Sequence, residues 1–206
     1  MAKYRLNWNE EKYNRFIKEG RGQGWGKEYK PWLTVHDFPS SGRVSRVFSW
    51  KTGRIHHFFS DLQTRYFYML EWEDTVIDIR EHYPLLDVED TIKEKADLRF
   101  DLFIDKDSGV PYVINTNFLI TVKNNDANNL YIARTVKMAT ELEKKNTLER
   151  LEIERRYWTA KNVDYGIVTQ KQIFNIFSKN IEWVHPSLYS YQDRGFSQED
   201  MMYMSG

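Results

Sequence analysis

The sequence predicts an α/β layer fold, a mixed β-sheet with helices on both faces. Three observations predict it. Apolar and aromatic residues recur at helical spacing over residues 60–72 and 147–161. Two runs rich in β-branched and aromatic residues flank an asparagine-rich turn at 123–129. A helix and a further buried strand then follow, and a strand–helix–strand succession implies parallel pairing.

The elements follow in chain order. Residues 9–19 read as a helix. The next segment, Gly20-Arg-Gly-Gln-Gly-Trp-Gly26, misses the glycine spacing of dinucleotide and phosphate loops, and Glu28 follows Lys27 where a phosphate loop needs a hydroxyl. It reads as a flexible connection to the body, with a backbone-hugging DNA contact as the alternative. Ser60-Asp-Leu-Gln63 has the form of a capping box, and Leu62, Tyr66 and Leu70 follow at four-residue spacing. A helix from near Ser60 to about Trp72 is therefore expected, its apolar face on a sheet.

After Pro84 and an acidic stretch, residues 112–114 and 117–122 read as strand, 123–129 as a turn, and 130–137 as the returning strand. If Val122 and Leu130 flank the turn, the antiparallel register sets Asn117 opposite Thr135, with Lys137 two residues further on the same face. A slip of one residue would send every side chain to the other side. Residues 147–161 form a helix whose face carries Leu151, Glu154 and Trp158. Residues 165–169 form a buried strand, and 171–180 a last helix ahead of Ile181-Glu-Trp-Val184.

At 206 residues the chain is long enough for one full domain with extensions. It contains no cysteine, which excludes disulfide frameworks, thiolate metal sites and thiol nucleophiles, and a cytoplasmic setting is expected. No apolar run reaches the ~18 residues of a membrane-spanning helix. The formal charge is zero, but it is unevenly spread. Residues 1–60 hold twelve Lys/Arg against five Asp/Glu, a balance of +7; residues 71–107 hold five against thirteen, a balance of −8. Two readings stand side by side: two solvated faces that happen to differ, or a basic nucleic-acid surface beside a carboxylate-rich region.

An acidic position at the start of a sheet hairpin, a lysine two residues beyond the facing position and a glutamate on the preceding helix form a pattern that resembles the restriction-endonuclease-like core, PD-(D/E)xK. Longer strings extend the likeness: Lys18-Glu-Gly-Arg-Gly-Gln-Gly24, Pro31-Trp-Leu-Thr-Val35, Gly53-Arg-Ile-His-His57, Asp78-Ile-Arg-Glu81 and Glu152-Ile-Glu-Arg-Arg-Tyr-Trp158. In that order, from about residue 10 to 184, the chain is similar to the TnsA family, the endonuclease subunits of heteromeric cut-and-paste transposases, including those of CRISPR-associated transposons. The resemblance implies a metal-dependent DNA endonuclease that nicks the 5′ strands at transposon ends. Its implied partners are the DNA ends, a TnsB transposase and an ATP-dependent TnsC regulator, with no membrane, and its implied cofactor is Mg²⁺ or Mn²⁺. The family's helical glutamate falls at Gln63, its strand aspartate at Asn117 and its lysine at Lys137. Thr135 and Val136 take the remaining metal-proximal positions, and Glu154 matches a supporting carboxylate.

The chemistry explains those residue types. Phosphodiester hydrolysis builds negative charge on phosphoryl oxygens; a hard cation held by carboxylates stabilises it, and a lysine stabilises charge or orients water. Gln63 and Asn117 are the amides of the expected acids, similar in shape but neutral. This pairing points to deliberate inactivation of an otherwise active enzyme; the alternative is a naturally non-catalytic, architectural subunit. Taken singly, each residue also has a plain structural role: Gln63 in the capping box, Asn117 at a strand start, Lys137 at a solvated strand end, Glu154 in a helix-surface ion pair. His56 and His57 are adjacent and so diverge, which argues against a two-histidine metal site. The expected division is an endonuclease domain with a basic N-terminal arm over 1–185, and a tail over 186–206, partner-docking or flexible, with Phe196 and Met201 to Met204 as apolar contacts.

Overall fold

The structure, a computed structural model, describes residues 8–37, 43–124 and 129–187. Helix α1 (Glu10–Lys18) begins where the Asn9 side chain accepts from Lys12 N, and it buries Phe16 against Trp8 and Trp32. The glycine-rich segment that follows is an ordered loop rather than a slack linker. Gly22 N donates to Lys30 O at 2.6 Å, and a Cβ on Gly22 (φ 80°) would sit 2.2 Å from Pro84 Cγ, so only glycine fits there.

A hairpin that the sequence reading did not contain comes next: β1 (Ser45–Phe48) and β2 (Ile55–Phe58), antiparallel. Helix α2 (Asp61–Trp72) starts where expected, with Ser60 as the cap, its side chain accepting from Gln63 N. Strand β3 (Val76–Pro84), also unforeseen, lies inside the acidic stretch. It is followed by the short α3 (Val88–Thr91), then β4 (Asn115–Val122), β5 (Leu130–Val136), α4 (Lys145–Ala160), β6 (Asp164–Val168) and α5 (Asn175–Val184).

The main sheet has the order β3-β4-β5-β6; the first three are antiparallel neighbours and β6 runs parallel to β5. The β4–β5 ladder pairs Phe118 with Arg134 and Val122 with Leu130, the register expected from the sequence. Residues 125–128 of the turn lie outside the described residues. The α/β class with helices on both faces holds. On one face α2 and α5 pack Leu62, Phe67, Leu70 and Ile181 against Ile79, Phe118, Ile120 and Val136; on the other, α4 packs Ile153, Tyr157 and Trp158 against Leu119 and Ala133.

Two assignments are corrected. Residues 112–114 are not strand: pairing there is limited to a lone bridge between Ile104 and Pro111. The last helix spans Asn175–Val184 rather than 171–180, because Ile181 and Ser178 bury against α2 and draw the chain through Ile181–Val184 as helix.

The opposed charge blocks meet inside the fold. Glu71, Asp78 and Glu81 of the acidic stretch are fully buried and turn toward the basic arm. Glu71 accepts from Ser49 Oγ at 2.8 Å and Trp50 N at 2.7 Å, and burial lifts its pKa to about 7. Asp78 accepts from Gly26 N at 3.3 Å, and Glu81 takes both Nη atoms of Arg54, at 2.9 and 2.5 Å. Burial would raise the Glu81 pKa, but His56 beside it and the bidentate Arg54 outweigh that desolvation, so Glu81 is held well below the usual carboxylate range.

Candidate active site

The β4–β5 pairing brings Asn117 to the end of β5, at Val136, the residue before Lys137. The Asn117 side chain is buried, and its Oδ1 accepts a hydrogen bond from Val136 N at 2.8 Å. The amide thus sits against the end of β5, beside the peptide that leads into Lys137. Val136 contributes its backbone here; its side chain packs into the α2-side core. Lys137 N donates to Val168 O at 2.9 Å, and its Nζ lies 3.7 Å from Glu141 Oε1. Glu141 also accepts from Met138 N at 3.1 Å, so one carboxylate holds both the turn after β5 and the lysine head.

Thr135 and Glu154 lie behind the strands. Glu154 is fully buried on α4, and its Oε2 accepts from Thr116 Oγ1 at 3.0 Å and from Thr135 Oγ1. Its Oε1 lies 3.2 Å from Arg150 Nε, one helical turn earlier, and Trp158 Nε1 donates to Thr116 Oγ1 at 2.8 Å. Thr116 directly precedes Asn117, and Thr135 directly precedes Val136. Glu154 therefore ties together, from the rear, the two strand positions that flank the Asn117–Val136 contact.

Gln63 stands in the first turn of α2. Its own N donates to Ser60 Oγ at 3.3 Å, the first half of the expected capping box, but its Oε1 accepts from Phe59 N at 2.9 Å, one residue before the cap, so the reciprocal half is displaced. Among the described residues no hydrogen bond or ion pair joins Gln63 to Asn117 or Lys137. What connects them is packing: Tyr66, on the next turn of α2, sets its ring 5.4 Å from Phe118, the neighbour of Asn117.

Strand β2 is locked to β3 just before that cap. His57 N donates to Glu81 Oε1 at 3.2 Å, and His56 Nδ1 lies 2.9 Å from Glu81 Oε2 while its Nε2 meets Thr52 Oγ1 at 2.8 Å. His57 Nδ1 instead faces Val35 N at 3.4 Å. The adjacent histidines diverge, as expected. His82, at φ 49°, breaks the alternation of β3: its Nε2 reaches His57 O at 2.9 Å, whereas Tyr83 turns to the α4 side and packs on Trp158.

The donor set does not suit a hard divalent cation. Gln63 and Asn117 offer neutral amide oxygens, each already accepting a backbone N–H, and both Glu154 oxygens are engaged in the buried network. Among the described residues, no three His, Cys, Asp or Glu side chains group to hold a metal ion. Mg²⁺ prefers oxygen ligands including at least one or two carboxylates.

Sequence reasoning missed Thr116, Arg150 and Glu141. Glu141 and Arg150 carried a faint signal, each four residues from its partner. Thr116 carried none, because its contact depends on how α4 lies across the sheet.

Residues 73–170, which hold β3 to β6 with Asn117, Lys137 and Glu154, match a family described as TnsA-like endonuclease N terminal. The chain is also 44% identical over 205 residues to Transposon Tn7 transposition protein TnsA of Escherichia coli, across 100% of this chain and 72% of that protein. The chain belongs to the TnsA family. Its four-stranded mixed sheet between helices is in keeping with the TnsA-like nuclease fold. No helix among the described residues is long and apolar enough to cross a membrane.

Proposed function

We propose that this TnsA-family chain is a transposase subunit of the type that nicks the 5′, non-transferred strands at transposon ends, and that in this form it assembles but does not cut. The observation that carries the reading is the Asn117–Val136 hydrogen bond, which keeps a neutral amide at the end of β5, one residue before Lys137, where the family pattern has an acid. In the acid-carrying form, carboxylates at 63 and 117 would seat Mg²⁺ or Mn²⁺ against the scissile phosphate, and Lys137 would stabilise charge there. Thr135 and Val136 would line that seat through the backbone they share with Lys137, since the Thr135 hydroxyl is turned to Glu154. With amides in place, metal binding is weak and nicking is lost.

The proposed partners are the DNA ends, a TnsB transposase and a TnsC ATPase, and the proposed setting is the cytoplasm. Two parts make up the proposed chain: an endonuclease domain over 1–185, and a tail over 186–206 that docks a partner. All of that tail beyond Ser187, including Phe196 and Met201 to Met204, lies outside the described residues. Support for docking at this end comes from α5, which leaves Ile176 79% and Trp183 84% exposed.

The test is to restore both acids, Gln63→Glu with Asn117→Asp, and to follow Mg²⁺-dependent nicking of a labelled transposon end with TnsB present. Recovery of 5′-strand nicking supports the reading. Continued silence with binding intact supports the second reading, a naturally non-catalytic architectural subunit, while substantial nicking by the unaltered chain refutes inactivation.

A further inference from the structure

A cleft of about 420 Å³, outside the candidate site, opens on the α4 side of the fold. Its floor is Leu85 and Ile114, which bury in the same core as Ile153 and Tyr157 of α4, and its walls include Phe100, Phe103 and Tyr112. Hydrogen bonds within the chain fix those walls. Leu85 N donates to Ile114 O at 2.8 Å, Tyr112 N donates to Phe103 O at 2.7 Å, and the Tyr112 hydroxyl donates to Asp105. A cleft shaped in advance loses little ordering entropy when something enters it. Its apolar surface continues past the mouth, where Leu86 is 41% and Ile104 38% exposed.

The rim of this cleft has one sign of charge. Among the described residues, four carboxylates line it, those of Glu10, Asp87, Glu89 and Asp90, and no Lys, Arg or His does. Asp87 is already engaged, accepting from Lys161 Nζ at 2.5 Å and from the Tyr157 hydroxyl at 2.7 Å. Glu10, Glu89 and Asp90 are exposed, and among the described residues no ion pair takes their side chains. Lys93 and Lys95 come near, but their Nζ atoms sit on the main-chain carbonyls of Asp90 and Glu89, at 3.3 and 2.7 Å, and neither lysine lines the cleft.

An apolar cleft with an unpaired acidic rim selects its occupant by complementarity. The rim repels the phosphates of nucleic acid, and a small molecule would leave the apolar surface beyond the mouth bare. A chain segment with apolar side chains flanked by lysine or arginine satisfies both the cleft and its rim. We propose that this cleft docks a basic, amphipathic segment of a partner protein, with its apolar side chains against Phe103 and Ile114 and its cations at Glu10, Glu89 and Asp90. Leu85 follows β3 and Ile114 precedes β4, so the cleft lies at the end of the sheet from which β4 runs to Asn117. A partner held there is stationed at the same end of the sheet as the candidate site. The inference goes beyond the nuclease reading and needs neither metal nor cleavage.

The test is fluorescence anisotropy with the full chain and a labelled peptide of about 15 residues that sets leucine and lysine on opposite faces of a helix. Two comparison peptides carry glutamate for lysine or serine for leucine, and both are expected to bind far more weakly. Glu89→Lys and Asp90→Lys should each weaken the leucine–lysine peptide several-fold, more at low salt than at high, and Leu86→Ser should weaken it at every salt concentration. All three replace exposed side chains, so thermal unfolding should stay as in the parent. Glu182→Lys, at an exposed carboxylate on α5 that does not line the cleft, is the control and should bind as the parent does. Absence of binding by the parent, or equal binding of the glutamate peptide, would overturn the proposal. So would an equal loss with Glu182→Lys, which would reduce the effect to general attraction, or displacement of the peptide by a DNA duplex. Self-association of the parent that Leu86→Ser abolishes would make a second copy the occupant and overturn it as well. Nicking by the acid-restored chain is a separate readout, so its failure would remove the nuclease reading and leave this cleft standing.

Discussion

Asn117 Oδ1 accepts its hydrogen bond from Val136 N at 2.8 Å, at the end of the strand that carries Thr135 and leads into Lys137. A carboxylate oxygen can accept the same bond, so an acid at 117 would keep this geometry and add a charge. The double variant Gln63→Glu, Asn117→Asp should therefore gain Mg²⁺-dependent stability that the parent lacks. At a Mg²⁺ concentration about 100-fold above the dissociation constant, mass action contributes about 2.7 kcal/mol. Thermal unfolding with and without Mg²⁺ checks it; a parent that stabilises as much as the variant would show that the amides do not impair binding.

Glu154 should be a stability determinant as well as a support for the site. It accepts from Thr116 and Thr135 and pairs with Arg150, all from a position with no solvent exposure. Glu154→Ala strands two hydroxyls and a partly buried guanidinium, at a cost of about 3 kcal/mol. Urea unfolding measures this, and a loss below about 0.5 kcal/mol would mean that water replaces the carboxylate freely.

His82 gives the protein an acid-sensitive element. Burial depresses its pKa to about 4, against the opposing pull of Glu81, and its Nε2 meets His57 O. The unfolded chain therefore binds a proton that the folded chain refuses, so this contribution is present in full above pH 6.5 and is lost as pH falls toward 4. The span corresponds to about 3 kcal/mol. His82→Asn suits the positive φ at this position and removes the titration. Chemical unfolding at pH 7 and pH 4.5 should show a smaller acid loss in the variant than in the parent; equal losses would assign the acid sensitivity elsewhere.

What was legible in the sequence had local causes. The cap at Ser60, the amphipathic runs of α2 and α4 and the turn after Val122 each arise within a few residues, and the turn fixed the β4–β5 register that joins Asn117 to the end of β5. The family strings and the amides at 63 and 117 were equally plain. Strand β3 was not legible, because its Asp78 and Glu81 read as solvated charge. In the buried strand Asp78 is met by Gly26 N and by Arg80, and Glu81 by Arg54 and His56, and most of these partners are distant in sequence.

By itself, the sequence determined the fold class, the family and the neutral character of positions 63 and 117. The tertiary structure alone decided that Glu71, Asp78 and Glu81 are buried against the segments around Ser49, Gly26 and Arg54, that the Thr135 hydroxyl serves Glu154, and that among the described residues Arg46 and Arg65 have no ion-pair partner. Whether a charge is spent internally or remains free depends on which side chains long-range packing brings within hydrogen-bonding distance, and a residue's own neighbours in the chain do not encode that.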